Sequence, residues 1–214
     1  MISDPFWLTS KFQAWNSATC SSLVMIKGSF GSQTNVKDFL ADSIMCIRQS
    51  NVPVIWALKT LDSTDFRMSL VDLLKYLTYQ ALKLQHMPTE SSLSLNCARF
   101  QSARDENEWF NLLAASLASL KQIYIIMDLE LLSSELATTT DNFSLPVAFS
   151  ELFNQLGKRS PDTVAKVMLV SYGSSVLNMA DEKHQRSLIL VNRRRLQKHP
   201  KIRTRNIKRV IRVA

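Results

Sequence analysis

The chain is poor in the residues that break or staple a fold: its 214 positions include 4 glycines, 6 prolines and 3 cysteines. With 46% hydrophobic and 21% charged residues, this scarcity excludes a disordered, collagen-like or low-complexity chain. The length suits one ordinary domain, or one domain with a tail, that buries a real core. Long apolar runs are missing too, since none approaches the ~20 residues that cross a bilayer. The start, Met1-Ile2-Ser3-Asp4-Pro5, lacks the basic-then-apolar pattern of a signal peptide. The sequence therefore reads as a soluble intracellular protein of the cytoplasm or nucleus. Cys20, Cys46 and Cys97 are odd in number, widely spaced and far from any His or second Cys at metal-ligand spacing, so they read as ordinary reduced thiols. His86, His184 and His199 have no partner at catalytic spacing, and no catalytic residue is assigned.

Acid is absent after Glu182, and this splits the chain electrically. Residues 183–214 carry 12 Lys and Arg against no acid, whereas residues 1–182 carry 14 basic and 18 acidic side chains. A mildly acidic body thus precedes a basic tail.

What is present in the body is an alternation of apolar runs and helical stripes. Ser22 to Lys27 is a short continuous apolar run closed by Gly28, the pattern of a buried strand. Asn35 with Asp38 is a capping pair for a helix whose Val36, Phe39, Leu40, Ile44 and Ile47 share one face. Pro53 opens a second run, 54–58, and Leu70, Leu73, Leu74, Leu77, Ala81 and Leu84 trace a helix that Pro88 stops. Residues 87–104 read as an irregular connection. Asp105 and Glu108 form a capping signature before Trp109, Leu113, Leu117 and Leu120. A third run, 122–127, ends at Asp128; a helix is expected around 147–157; a fourth run, 164–170, ends at Ser171. Four strands alternating with helices predict an α/β fold, a parallel sheet with right-handed crossovers and helices on both faces. In such sheets ligands sit at the carboxyl ends of the strands, so the loops after 27, 127 and 170 are the candidate sites.

The first of these loops, Gly28-Ser29-Phe30-Gly31-Ser32-Gln33-Thr34-Asn35, has the frame of a phosphate-binding loop between strand and helix. Its order and spacing resemble those of the NACHT-type P-loop NTPases of the STAND class, particularly their large fungal group. There the loop usually reads Gly-x-Pro-Gly-Ser-Gly-Lys-Ser. Gly28, Gly31 and Ser32 match, while Phe30 replaces Pro, Gln33 replaces Gly, Thr34 replaces Lys and Asn35 replaces Ser. The leucine-rich helix 71–82 and the Tyr-Ile-Ile-Met-Asp stretch at 124–128 are similar to the family's later segments, the latter to its Walker B strand. The family's acids three and four places after that Asp are Leu131 and Leu132 here, with Glu130 one place early. Residues 167–173 resemble the sensor strand, with Gly173 at the Arg position. The resemblance covers roughly 20–175.

It implies a three-layer P-loop NTPase-like domain over 20–182, preceded by a helical segment, 1–19, with Phe6, Trp7, Phe12 and Trp15, and followed by the basic tail, 183–214. It implies nucleotide contact by residues 28–35, magnesium at Asp128 and a sensor role for Ser171. The bland alternatives stand beside these: the glycines shape a turn, Asp128 ends a strand or caps a helix, and Ser171 is a strand-end hydroxyl. The departures all remove charge or hydroxyl from phosphate chemistry. One lost electrostatic donor is worth about 10²–10³ in rate, so hydrolysis is expected to fail. What remains is weak binding of ATP or GTP with magnesium through backbone N–H groups. The leading expectation is a non-hydrolysing signalling module that acts through a protein partner. A nucleic-acid-binding protein acting through the tail is one alternative, and an active NTPase using a relocated Lys such as Lys27 or Lys37 is another; Lys27 precedes the loop and Lys37 is expected to point along its helix. In the tail, Arg193, Arg194, Arg195, Lys198, Lys201, Arg203, Arg205, Lys208, Arg209 and Arg212 suit nucleic-acid phosphates, an anionic surface or an import receptor. The family continues into a helical domain and sensing repeats. A fragment, a mispredicted gene product and a free-standing module are therefore all open readings.

Overall fold

The computed structural model describes residues 5–59, 67–84, 98–132, 144–172 and 186–191. Each continuous apolar run becomes a strand: β1 (Ser22–Gly28), β2 (Val54–Ala57), β3 (Gln122–Asp128) and β4 (Val164–Tyr172), joined by a fifth, β5 (Leu188–Val191). They form one sheet in the order β2-β3-β4-β1-β5, with every pairing parallel.

Side chains alternate across a strand, so a run that is apolar at every position feeds two cores at once. Along β3, Ile123, Ile125 and Met127 enter one core and Tyr124 and Ile126 the other. The first core is completed by α3 (Leu70–Leu84), α4 (Glu106–Leu117) and α5 (Leu145–Arg159). The second is completed by α1 (Ser10–Ser17) and α2 (Gln33–Gln49), which cover the opposite face. On α2 the expected stripe of Val36, Phe39, Leu40, Ile44 and Ile47 is the buried one.

Local chemistry sets several helix ends. At α4, the Asp105 carboxylate accepts from the Glu108 N–H at 2.8 Å, and the Glu108 carboxylate accepts from the Arg104 N–H at 2.6 Å. This is the expected reciprocal cap. The α2 helix closes through Asn51, whose φ of 56° lies in the left-handed region that Asn tolerates. Its N–H donates to Arg48 O and that of Val52 to Ile47 O, so two terminal carbonyls are satisfied.

The N-terminal segment is bound to the sheet in two ways. Phe6 and Phe12 meet Phe39 edge-on and Trp7 stacks on the same ring with centroids 4.9 Å apart, an arrangement favoured by the ring quadrupole. Beneath α1, the buried Lys166 of β4 donates from Nζ to Trp15 O at 2.9 Å, to Ala18 O and to Ser22 Oγ at 3.3 Å. A cation there complements the negative end of the helix. Burial holds this ammonium below the usual lysine range.

Four expectations need correction. The stretch 183–214 is not all tail: Leu188–Val191 pairs in parallel with β1, from Met25 opposite Leu188 to Gly28 opposite Val191. Four apolar residues sufficed because β1 supplies the partner edge. Asn35 does not cap α2, which starts two residues earlier at Gln33, with Ser32 before it making no side-chain cap. Residues 98–102 within the expected irregular connection are helical. The helix expected at 147–157 runs from Leu145 to Arg159, with Pro146 in its first turn, where the missing N–H is no loss. The ten basic positions from Arg193 to Arg212, Gly173 and Cys97 lie outside the described residues. Among the described residues, no helix is long and apolar enough to cross a membrane.

The β2 edge of the sheet is closed by a side chain. Gln80 of α3 donates to Trp56 O at 2.8 Å and accepts from the Trp56 N–H at 3.1 Å, replacing the bonds of a neighbouring strand. Gln80→Leu is expected to lower the unfolding free energy by about 1–2 kcal/mol, for two lost hydrogen bonds. It is also expected to raise self-association measured by light scattering. An unchanged denaturation midpoint would show that the edge does not depend on this amide.

Candidate functional site

The parallel register brings the carboxyl ends of β1, β4 and β3 to one end of the sheet: Gly28 lies opposite Tyr172, and Asp128 opposite Val170. Side chains from the ends of β3 and β4, the turn after β3 and the start of α2 form a charged cluster there.

At its centre, Asp128 is fully buried. Its Oδ1 accepts from the Glu130 N–H at 3.0 Å, which shapes the short 3-10 turn Leu129–Leu131, and the Lys59 backbone N–H also donates to the carboxylate. Lys37 Nζ stands 3.6 Å from Asp128 Oδ2 and 3.7 Å from Glu130 Oε2. Those are ion-pair distances beyond hydrogen-bond reach, so Oδ2 is left without a hydrogen bond. Gln33 Nε2 donates to Glu130 Oε2 at 2.7 Å. The Lys37 ammonium also lies 5.8 Å from the centre of the Tyr172 ring. The buried Tyr172 hydroxyl finds no hydrogen-bond partner among the described residues.

Burial is the largest influence on both carboxyls and raises each above its ordinary range; for Glu130 the nearby charge of Asp128 adds to it. Lys37 opposes the rise at both, and Lys59 adds a second positive charge facing Glu130. Burial, then the charges of Asp128 and Glu130, hold the Tyr172 phenol protonated far above its usual range. Two carboxylates thus face two lysines and a phenol. Removing Lys37 from such a buried pair costs about 3–5 kcal/mol, because a buried charge is left uncompensated.

The turn after β1 is folded in on itself. Phe30–Ser32 is a 3-10 turn in which the Ser32 N–H donates to Ser29 O at 2.9 Å, the Gln33 N–H to Phe30 O, and the Ser29 N–H to Val191 O at 3.0 Å. Three N–H groups of the loop are thereby satisfied by carbonyls. The buried Ser32 hydroxyl donates to Ser29 O at 2.8 Å or Val191 O at 3.2 Å. Gly28 allows this closure: a Cβ there would lie 2.9 Å from Tyr172 Cδ1 and 3.0 Å from Ser32 Oγ.

Of the residues singled out in the sequence, Gly28, Ser32, Gln33 and Asp128 meet at this cluster or its floor. Phe30, Gly31, Thr34 and Asn35 are exposed, Phe30 to 72%, and Ser29 is half-buried. Ser171 does not end its strand; it is buried within β4, opposite Lys27. Lys37 is the main correction: from the second turn of α2 its side chain reaches back to Asp128 and Glu130 instead of pointing along the helix. Helical side chains lean towards the N-terminus, and Gln33 and Lys37 are four apart on one face, which is the signal that was available. Tyr172 and Lys59 carried no comparable signal.

Magnesium does not fit these residues. Among the described residues no group of three or more His, Cys, Asp or Glu comes together as a metal site, and the two carboxylates at the cluster both face the Lys37 ammonium. A separate cleft of about 360 Å³ against α4, lined by Arg99, Glu108, Asn111 and Arg159 among others, shares no residue with the cluster.

Two outcomes follow from this geometry. Gly28→Ala is expected to cost about 1–3 kcal/mol through overpacking, and Tyr172→Leu in the same chain to recover part of it; equal stability of wild type and Gly28→Ala in urea denaturation would contradict the contact. Carboxyls raised on folding bind protons more tightly in the native state, so their contribution to stability falls as pH rises from about 4 through their elevated range. The stability of Asp128→Asn relative to wild type is therefore expected to increase across that window, and a flat difference would refute the assignment.

No family model, curated protein or solved structure matches the chain.

Proposed function

We propose that this chain is a degenerate, non-hydrolysing relative of the NACHT/STAND signalling NTPases that works through contacts with a protein partner and binds ATP or GTP weakly if at all. The observation that carries the reading is the placement of its loops. A glycine-closed turn between β1 and a long helix, and an Asp ending β3, flank β4 and open at the same end of a parallel sheet. That is the arrangement a three-layer P-loop domain requires, with ligands at the strand carboxyl ends.

The chemistry of the turn supports the loss of hydrolysis. Thr34 and Asn35, at the positions of the phosphate-binding Lys and the metal-binding hydroxyl, are exposed on the first turn of α2. The Ser32 hydroxyl and three loop N–H groups are bonded internally, so an arriving triphosphate must break those bonds to be held. No step of phosphoryl transfer is assigned to any residue.

The test is phosphate release and calorimetric titration with ATP and GTP in the presence of magnesium, on the full chain. The expected outcome is no release above buffer and no saturation where an intact NTPase saturates. Turnover comparable with that of an intact relative overturns the reading.

A further inference from the structure

The cluster at the end of β3 contains a cation of its own. Lys37 Nζ lies nearly equidistant from Asp128 Oδ2 and Glu130 Oε2, at 3.6 and 3.7 Å, with the Tyr172 ring beside it. Among the described residues, two buried polar atoms at this place, Asp128 Oδ2 and the Tyr172 hydroxyl, find no hydrogen-bond partner. Asp128 Oδ2 and Glu130 Oε2 thus flank one positive charge, and carboxylate oxygens are the ligands that a divalent ion takes.

We propose that Lys37 is the resident cation of this site, standing where a divalent ion would sit between Asp128 and Glu130, and that it closes the site to divalent ions. An ammonium and a divalent ion cannot share the position: at such separations their repulsion exceeds thermal energy many times over even in a partly solvated protein. The lysine is permanent, because it is part of α2, whereas a metal would come and go with nucleotide. The cluster therefore stays in one charge state whatever the magnesium concentration, and α2 stays tied to the turn after β3. The idea rests on reading the turn at Gly28 and Asp128 as a former nucleotide site. Its test uses metal alone, so the result is independent of whether any nucleotide binds or turns over.

Manganese is the probe, titrated into the full chain by electron paramagnetic resonance without nucleotide. Wild type is expected to show no site involving Asp128. Lys37→Met is expected to acquire one site at least about tenfold tighter, since a full positive charge has been removed from its centre. Lys37→Met combined with Asp128→Asn is expected to lose it, and Lys37→Arg to remain closed. A Lys37→Met protein with native circular dichroism that binds no more manganese than wild type overturns the proposal. A measurement on the unaltered chain stands apart from any folding defect: manganese is expected to leave the ring resonances of Tyr172 unbroadened. Selective broadening of that ring in wild type means that the ion enters despite Lys37, and also overturns it.

Discussion

A carboxylate at zero exposure is the constraint around which this end of the molecule is arranged. Asp128 follows six residues of β3 that are apolar enough to be covered by helices on both faces, and the burial extends to the strand's last position. A charge there has lost its water and must find cations, donors or a proton. The surrounding loops provide all of these: backbone N–H groups from Glu130 and Lys59, the Lys37 ammonium and the charge of Lys59 nearby. The 3-10 turn after β3 and the inward reach of Lys37 are both consequences of that burial.

The same logic operates at the other buried lysine with the opposite sign of demand. Lys166 sits in β4 beneath α1, and its acceptors are carbonyls and a hydroxyl in place of carboxylates. It ends a helix and joins it to the sheet. Lys37 joins α2 to the turn after β3. Two ammonium groups on one face of the sheet therefore attach the two helices that cover it, while the opposite face, under α3, α4 and α5, is held by apolar packing. This difference makes the α1 and α2 face the one whose stability responds to charge.

Much of the architecture was legible because the strands declare themselves. Their apolar runs, 23–26, 54–58, 123–127 and 167–170, are four or five residues long and alternate with helical stripes, the pattern of a sheet covered on both faces. Helix α3 was equally plain, with Leu70 to Leu84 at helical spacing. The fifth strand was not, because four apolar residues set among Lys and Arg carry little signal until β1 offers them an edge. The start of α2 departs from the local pattern: Asn35 and Asp38 fit a capping pair, but the helix begins two residues earlier, at Gln33, without a side-chain cap. Of the site, Gly28 and Asp128 were visible as strand ends. Lys37, Glu130 and Tyr172 were not assembled, since the contacts that unite them join residues about a hundred positions apart, and one sequence carries no record of such pairs.

The position of Lys37 relative to the loop decides which oxygens its charge meets. Position 34, where the proposed kinship expects a lysine, is Thr, and a lysine occurs three residues later on nearly the same helical face. Three residues move a side chain about 4.5 Å along the helix axis, away from the N-terminus where a phosphate would be held. From there the ammonium leans back and meets the carboxylates of Asp128, which ends β3, and of Glu130 in the turn after it. Under the proposed kinship a lysine at position 34 would face phosphate oxygens; at position 37 it faces protein oxygens, and loop N–H groups bond to the Ser29, Phe30 and Val191 carbonyls. Both arrangements direct charge and N–H groups to interactions within the chain. Such a site has less to offer a ligand and more to contribute to the stability of the fold.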